Sequence, residues 1–347
     1  MLVEVCSPTI RRKEMDAVLT VLVEEKIGPG EQAERLIQAG RERLGFDYCL
    51  ALRSPAIALF FALKALKMPP RSGVAISALS PEYYLRVIED LGLTAVFCDT
   101  GEASACMNAK TIGAAVPETA ASDQAVRAIV LHHNLGLMPD MEGISALGIP
   151  LIEDCSAAYM SGTGEKKAGS YGIFTVLGLE ERDMLTSGGG ALLYATDRRG
   201  AAALRSAGAP PPEYGLPDMN AAMALVQFRE SEKNLQRRAK IAELYARSAM
   251  LQGRHKMFAC PENFVYNNYA FALVLETGMK DVIAYAKRKE IVVENAFAKT
   301  PAATGPVKQD TCPAACSVSL RTALFPLYPR LGDAAAARVA KLIQTLP

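Results

Sequence analysis

The residues best placed to do chemistry lie in one stretch, IPLIEDCSAAYMSGTGEKKAGSYGIFTVLGLEERDMLTSGGGALL, from Ile149 to Leu193. An apolar run ends there in two acids, Glu153 and Asp154. A turn containing Gly162, Gly164, Gly169 and Gly172 follows, and a second apolar run leads to Gly188, Gly189 and Gly190. A carboxylate at a strand end can hold a cation or accept a proton, or it can cap the next turn. His133 closes another apolar run, where a histidine serves equally as a hydrogen-bonded core residue or as a site residue. Ser54 stands before an Ala- and Leu-rich segment, the usual place of a helix N-cap. No lysine lies between Lys167 and Lys233.

These residues must be positioned by an alternation of short apolar runs with amphipathic stretches. The pattern predicts strands at Tyr48–Leu52, Val74–Ser77, Thr94–Cys98, Ala128–Leu131, Pro150–Ile152, Ile173–Val176 and Ala191–Tyr194. Helices are expected at Ala56–Leu66 and Glu82–Asp90. Alternating strands and helices imply an α/β fold with a mostly parallel sheet covered by helices on both faces. Sites in such sheets gather at the carboxyl ends of the strands, where Ser54, His133, Asp154 and the segment after Phe174 all fall. Three prolines, Pro210 to Pro212, break the rhythm, and a long helix is predicted from about Met219 to Met250. Beyond it come a strand at Tyr269–Leu275, a helix at Met279–Lys289 and a last helix at Asp333–Leu346. The expected organisation is a large α/β domain over residues 1–250, long helix included, and a small C-terminal α+β domain over 251–347.

Composition narrows the function classes. The chain has 347 residues, half of them hydrophobic, and a formal net charge of +1. That is ample for a large core and offers no basic stripe for a nucleic acid. Basic pairs such as Arg11-Arg12 and Arg237-Arg238 read as solvated helix faces. No apolar run reaches the roughly 18 residues of a membrane span, and the N-terminus lacks the pattern of a signal peptide. Eight cysteines occur without a CxxC pair, and Cys312 and Cys316 have no nearby histidine to complete a metal site. Free, largely buried thiols in a cytoplasmic protein are expected, with no metal.

Taken in order, several segments resemble the DegT/DnrJ (StrS-like) family of sugar aminotransferases, which carry pyridoxal phosphate on the aspartate-aminotransferase (type I) fold. KIGPGEQAERLIQAGRERLGF is similar to the family's entry loop and helix. RSPAIALFFAL, from Arg53 to Leu63, sits where the family begins its phosphate-binding helix. LGLTAVFCD resembles a family strand, and LHHNLGLMPDM matches another segment with His133, Gly136, Asp140 and Met141 in register. LPDMNAAMALVQF and LFPLYPRL are similar to the start of the long helix and to a C-terminal signature.

The resemblance implies a cofactor site, and several of its positions are altered here. Asp154 stands where the family holds the pyridine nitrogen. Ser54, Pro55 and Ala56 stand in the phosphate turn, where proline removes an N–H and alanine a hydroxyl. The family's ring-stacking aromatic falls on Pro81, and core packing is the expected role of nearby Tyr83 and Tyr84. His133 and Thr175 stand near the cofactor in the family's pattern, and Ala157 replaces a family contact beyond Asp154. The imine lysine falls on Glu180 or Arg182, depending on the direction of alignment, and neither can form an imine. A family branch that uses histidine there with pyridoxamine phosphate is disfavoured too, since no histidine occurs between His133 and His255.

The expected function is therefore that of a degenerate homologue of pyridoxal-phosphate-dependent nucleotide-sugar aminotransferases, in a sugar or polysaccharide biosynthesis context. It is expected to hold no covalently bound cofactor, to have no catalytic lysine, and to bind a nucleotide-sugar ligand or a partner. The family's architecture implies a homodimer or a mixed dimer with an active paralogue. The alternative is an active aminotransferase whose amine comes from elsewhere. If the site is vestigial, Asp154→Asn is expected to leave stability nearly unchanged.

Overall fold

The computed structural model describes residues 2–101, 104–116, 125–261 and 263–347. Its centre is a seven-stranded sheet. In sequence order the first five strands are β1 (Tyr48–Leu52), β2 (Gly73–Ser77), β3 (Thr94–Cys98), β4 (Val126–His132) and β5 (Leu151–Asp154). Phe174–Gly178 and Ala191–Ala195 complete it. Across the sheet the order is β1, Ala191–Ala195, Phe174–Gly178, β5, β4, β2, β3. Only Ala191–Ala195 runs against its neighbours, and the other pairings are parallel. Strands β2, β5, Phe174–Gly178 and Ala191–Ala195 are buried along their whole length. This is why they read as continuous apolar runs in the sequence.

The pleat sorts the strand residues onto two faces. Val74, Ile76, Val130, Ile152 and Phe174 pack against α3 (Pro55–Ala65) and α4 (Tyr83–Asp90). On the opposite face Leu177, Leu192 and Tyr194 meet α2 (Glu31–Leu44), which follows α1 (Arg12–Val23), and the first half of the long helix, Asp218–Gln252. Ala75, Ile129, Leu131 and Leu151 are on that opposite side as well, over Ile112, Met141 and Ile144. Two acids adjacent in sequence are thereby sent apart: Asp154 continues the row of Ile152, and Glu153 the row of Leu151.

Local signals set the helix ends. Ser54 caps α3 by accepting from the Ile57 N–H at 3.3 Å, and Pro55 fills the first position, where no N–H is needed. Asp218, the first residue of the long helix, accepts from the N–H groups of Gln32 and Ala33 and so caps α2 from outside. The long helix stops at Gly253, whose φ of 71° is open to glycine at little cost.

A second core gathers Phe271, Leu273, Val282, Ile291, Phe325, Val339 and Ile343 around a three-stranded antiparallel sheet. Ile241, Tyr245 and Ala249 of the long helix belong to this core, as does Val3, which bridges to Ile291. The long helix thus serves both cores, the first with its N-terminal half and the second with its C-terminal half. No described helix is long and apolar enough to cross a membrane. All eight cysteines are free, with Cys260 exposed, Cys6 half-buried and the other six buried.

Candidate functional site

Asp154 ends β5 on the face covered by α3 and α4, and it is 2% exposed. One carboxylate oxygen, Oδ2, accepts from the Tyr84 hydroxyl at 2.6 Å and from the Tyr83 hydroxyl at 3.1 Å. The other, Oδ1, accepts from the Ser156 hydroxyl at 2.5 Å and the Ser156 N–H at 3.0 Å. His132, the last residue of β4 and the register partner of Asp154, brings Nδ1 to 3.4 Å from Oδ2. Burial by itself would raise this carboxyl's pKa. The neighbouring His132 and the hydrogen bonds from Ser156 and Tyr84 outweigh it and hold the group well below the usual carboxylate range. The two phenols respond in the opposite sense: burial first, then the Asp154 charge, raises both well above the ordinary tyrosine value.

Glu153 occupies the other face and does different work. It accepts from the N–H groups of Gly169 (2.9 Å), Tyr171 (2.7 Å) and Gly172 (2.6 Å), and pairs with His133 Nε2 at 3.0 Å. Burial would raise its pKa, but the His133 contact and these N–H groups bring it below the ordinary value. It folds the glycine-rich turn onto the sheet, and a Cβ on Gly172 would fall within 2.9 Å of two carbonyl oxygens there. Cys155 Sγ comes close to His133 and Glu153. The glutamate's acceptors are already committed to the turn, so the trio is a structural knot.

The cofactor positions inferred from the sequence separate into two groups. Asp154, Ser54, Pro55 and Ala56 lie on the α3/α4 side of the sheet, at or beside the start of α3. His133 and Thr175 do not join them. His133 is fully buried against Glu153, and Thr175, the register partner of Glu153, donates its hydroxyl to Gly169 O at 3.0 Å. The reason is the two-residue period of the strand: a shift of one position changes the face. The histidine brought to Asp154 is His132.

The segment around Glu180 and Arg182, where the resemblance would put a lysine, has none. Arg182 forms an ion pair with Glu294 at 2.8 Å, and the Glu180 N–H donates to Asp183 Oδ2 at 2.8 Å. Asp183 turns its carboxyl back against Gly178, where an added Cβ would lie 2.2 Å from Oδ2. Burial, and next the nearby charge of Asp154, pushes this carboxyl up to about 7 against the pull of the Glu180 N–H. Lys166 and Lys167 are exposed, and Lys166 is paired with Glu142 at 2.6 Å. His132, Ser156 and Asp183 are not among the residues expected from the sequence, and Tyr83 and Tyr84, expected to pack, also bond to the carboxylate. The Asp-x-Ser spacing was a usable signal for Ser156, since such a pair often closes a local turn.

Pyridoxal phosphate requires a ring-nitrogen acceptor, donors for its phosphate and an amine. The residues present do not fit that set. Both oxygens of Asp154 already accept from the chain's own donors. At the start of α3, Pro55 has no N–H and the Ile57 N–H is taken by Ser54, leaving Ala56 alone among the first three positions. An apolar cavity of about 420 Å³ lies elsewhere, between the long helix and residues 257–260 and 266–272. None of the residues around Asp154 lines it.

A large mostly parallel sheet with one reversed strand, an aspartate at a central strand end and a small C-terminal unit define the type I pyridoxal-phosphate fold. The chain belongs to the DegT/DnrJ/EryC1/StrS aminotransferase family, whose model matches residues 8–344. Among curated proteins it is 24% identical to dTDP-4-dehydro-2,3,6-trideoxy-D-glucose 4-aminotransferase of Saccharopolyspora spinosa, over 97% of this chain and 94% of that protein. It is 28% identical to L-glutamine:2-deoxy-scyllo-inosose aminotransferase of Streptomyces lividus, over 49% of this chain and 40% of that one. In fold it is similar to the aminotransferase TlmJ of Streptoalloteichus hindustanus, with a TM-score of 0.89 at 20% identity, covering 99% of this chain and 98% of that one. The PLP form of the sugar aminotransferase Spr1654 of Streptococcus pneumoniae gives 0.88 at 18% identity, covering 99% and 98%.

Proposed function

We propose that this chain keeps its family's architecture without its family's pyridoxal chemistry, and that it acts by binding a sugar-type ligand or a partner chain. The observation that carries this reading is the absence of any lysine from position 168 to 232, the interval that contains the strand end where an imine would have to form. The altered start of α3 points the same way. The ligand class is taken from the relatives, whose names specify a dTDP-linked deoxy sugar and a deoxyinosose. A nucleotide sugar is therefore the first ligand to try.

A homodimer, or a mixed dimer with an intact paralogue, is the second part of the proposal. It is supported by the exposed apolar side chains Met15, Leu19, Leu22, Val23 and Ile27 on and just after the helix Arg12–Val23. Such a contiguous row favours burial against another chain.

The test is direct. The purified protein, treated with pyridoxal phosphate and borohydride, should yield no stoichiometric lysine adduct and should show no aldimine absorbance. A stoichiometric adduct on a lysine of the cleft would establish the competing reading, an aminotransferase with a relocated amine. Melting temperature measured against dTDP-sugars should rise with ligand concentration if the cleft binds them.

A further inference from the structure

The hydrogen bonds around Asp154 carry a conclusion that the missing lysine does not. An ionised carboxylate has about four lone-pair sites in all. Here four donors are already in place: the Tyr83 and Tyr84 hydroxyls on Oδ2, and the Ser156 hydroxyl and N–H on Oδ1. His132 Nδ1 stands a further 3.4 Å from Oδ2. The tyrosines come from the first turn of α4, and Tyr84 is completely buried. Their rings meet edge to face with centroids 4.9 Å apart, and Tyr84 also meets the His132 ring edge to face. A fifth donor can reach this carboxylate only by displacing one of these groups, and the two phenols are held by ring packing as well as by hydrogen bonds.

We infer that Tyr83 and Tyr84 are the specificity-determining residues of this site: they occupy the acceptor sites of Asp154 and exclude a pyridinium-type ligand, whether or not it can bond covalently. The inference rests on the proposed loss of pyridoxal chemistry and deepens it. A missing lysine forbids an imine, whereas filled acceptor sites also forbid non-covalent docking through the ring nitrogen. Asp154 then acts as an internal anchor between α4 and β5.

Pyridoxamine phosphate is the appropriate probe, because it needs no lysine. The tyrosine ring carbons bearing the hydroxyls are labelled with ¹³C, and the Tyr83 and Tyr84 signals are assigned from Tyr83→Phe and Tyr84→Phe. Both signals should move in Asp154→Asn, and neither should move when the wild-type protein is titrated with millimolar pyridoxamine phosphate. Calorimetry of the same titration should show no saturable binding. Saturable displacement of those two signals by the probe would overturn the inference. So would signals insensitive to Asp154→Asn, since the phenols would then not be bound to the carboxylate. Tyr84 is buried, so if its variant is poorly folded, Tyr83→Phe alone gives one assignment and the Asp154→Asn response still decides. The borohydride experiment is independent of this one: an adduct there refutes the loss of imine chemistry, and displaced phenols here refute the closed acceptor.

Discussion

Replacing Asp154 by asparagine separates an anchor from a relic. From sequence alone, a vestigial aspartate should be replaceable at little cost to stability, but the hydrogen bonds in the structure reverse that expectation. Asparagine keeps one acceptor oxygen and presents an NH₂ where the second oxygen stood. Turned one way, its NH₂ faces the Ser156 N–H, which can only donate; turned the other, the Tyr83 and Tyr84 hydroxyls must reverse and give up their bonds to a charged acceptor. Hydrogen bonds to a charged group contribute roughly 1.5–3 kcal/mol each, and relief of the buried charge returns part of the loss. A net cost of about 2–4 kcal/mol follows, or a melting temperature lower by roughly 4–8 °C at ~2 °C per kcal/mol. The pH dependence is a second signature. Because the folded-state pKa is depressed, the stabilisation is present above the ordinary value of 3.8 and is lost as pH falls through the folded-state value. The gap between wild type and variant should therefore be level across neutral pH and close only in acid. Thermal melts by circular dichroism at several pH values measure it. A variant that melts with the wild type at neutral pH would mean that Asp154 is hydrated and open to a ligand, and the reasoning would fail.

Further expectations concern the surrounding groups. Asp183 is pushed up to about 7, so its contribution to stability is complete below pH 3.8 and is lost as pH rises through about 7. Asp183→Asn should gain on the wild type as pH rises over that window, and parallel stability curves would refute the assignment. Glu153→Gln should cost about 2–4 kcal/mol, because one of its two oxygens becomes a donor facing backbone N–H groups. Urea denaturation is the measurement, and an unchanged midpoint would show that the glycine-rich turn holds itself. Gly190→Ala should be strongly destabilising, since φ is +125° and the new Cβ would meet Leu216 Cδ1 at 2.4 Å. A variant that expresses and melts normally would contradict the close approach. Removing the apolar row with Leu19→Glu and Leu22→Glu should lower the sedimentation mass if that face joins two chains.

The sequence made much of the fold legible because the central strands are buried on both faces and read as short uninterrupted apolar runs. The runs at 74–77 and 191–194 fall within β2 and Ala191–Ala195, the runs at 48–52 and 94–98 coincide with the half-buried edge strands β1 and β3, and the expected long helix at 219–250 is found at Asp218–Gln252. The strand at Thr322–Phe325 is not legible in the sequence, because its four residues carry little periodicity of their own, and the LFPLYPRL signature overlaps only its last two. Within the site, Asp154 and the cap formed by Ser54 were visible from local pattern. His132 was not, because His132 and His133 are neighbours and the choice between them depends on strand register. The tyrosine contacts were also invisible, since they join residues 70 and 71 positions apart.

The sequence by itself determined the family, the absence of lysine from position 168 to 232 and the absence of an N–H at Pro55, all of which are matters of residue type at a position. Only the tertiary structure decided what Asp154 does now. A carboxylate looks the same in sequence whether its lone pairs face a ligand, water or two phenols. Which of these it meets depends on how α4 packs over the end of β5, and that packing is set by contacts between distant segments.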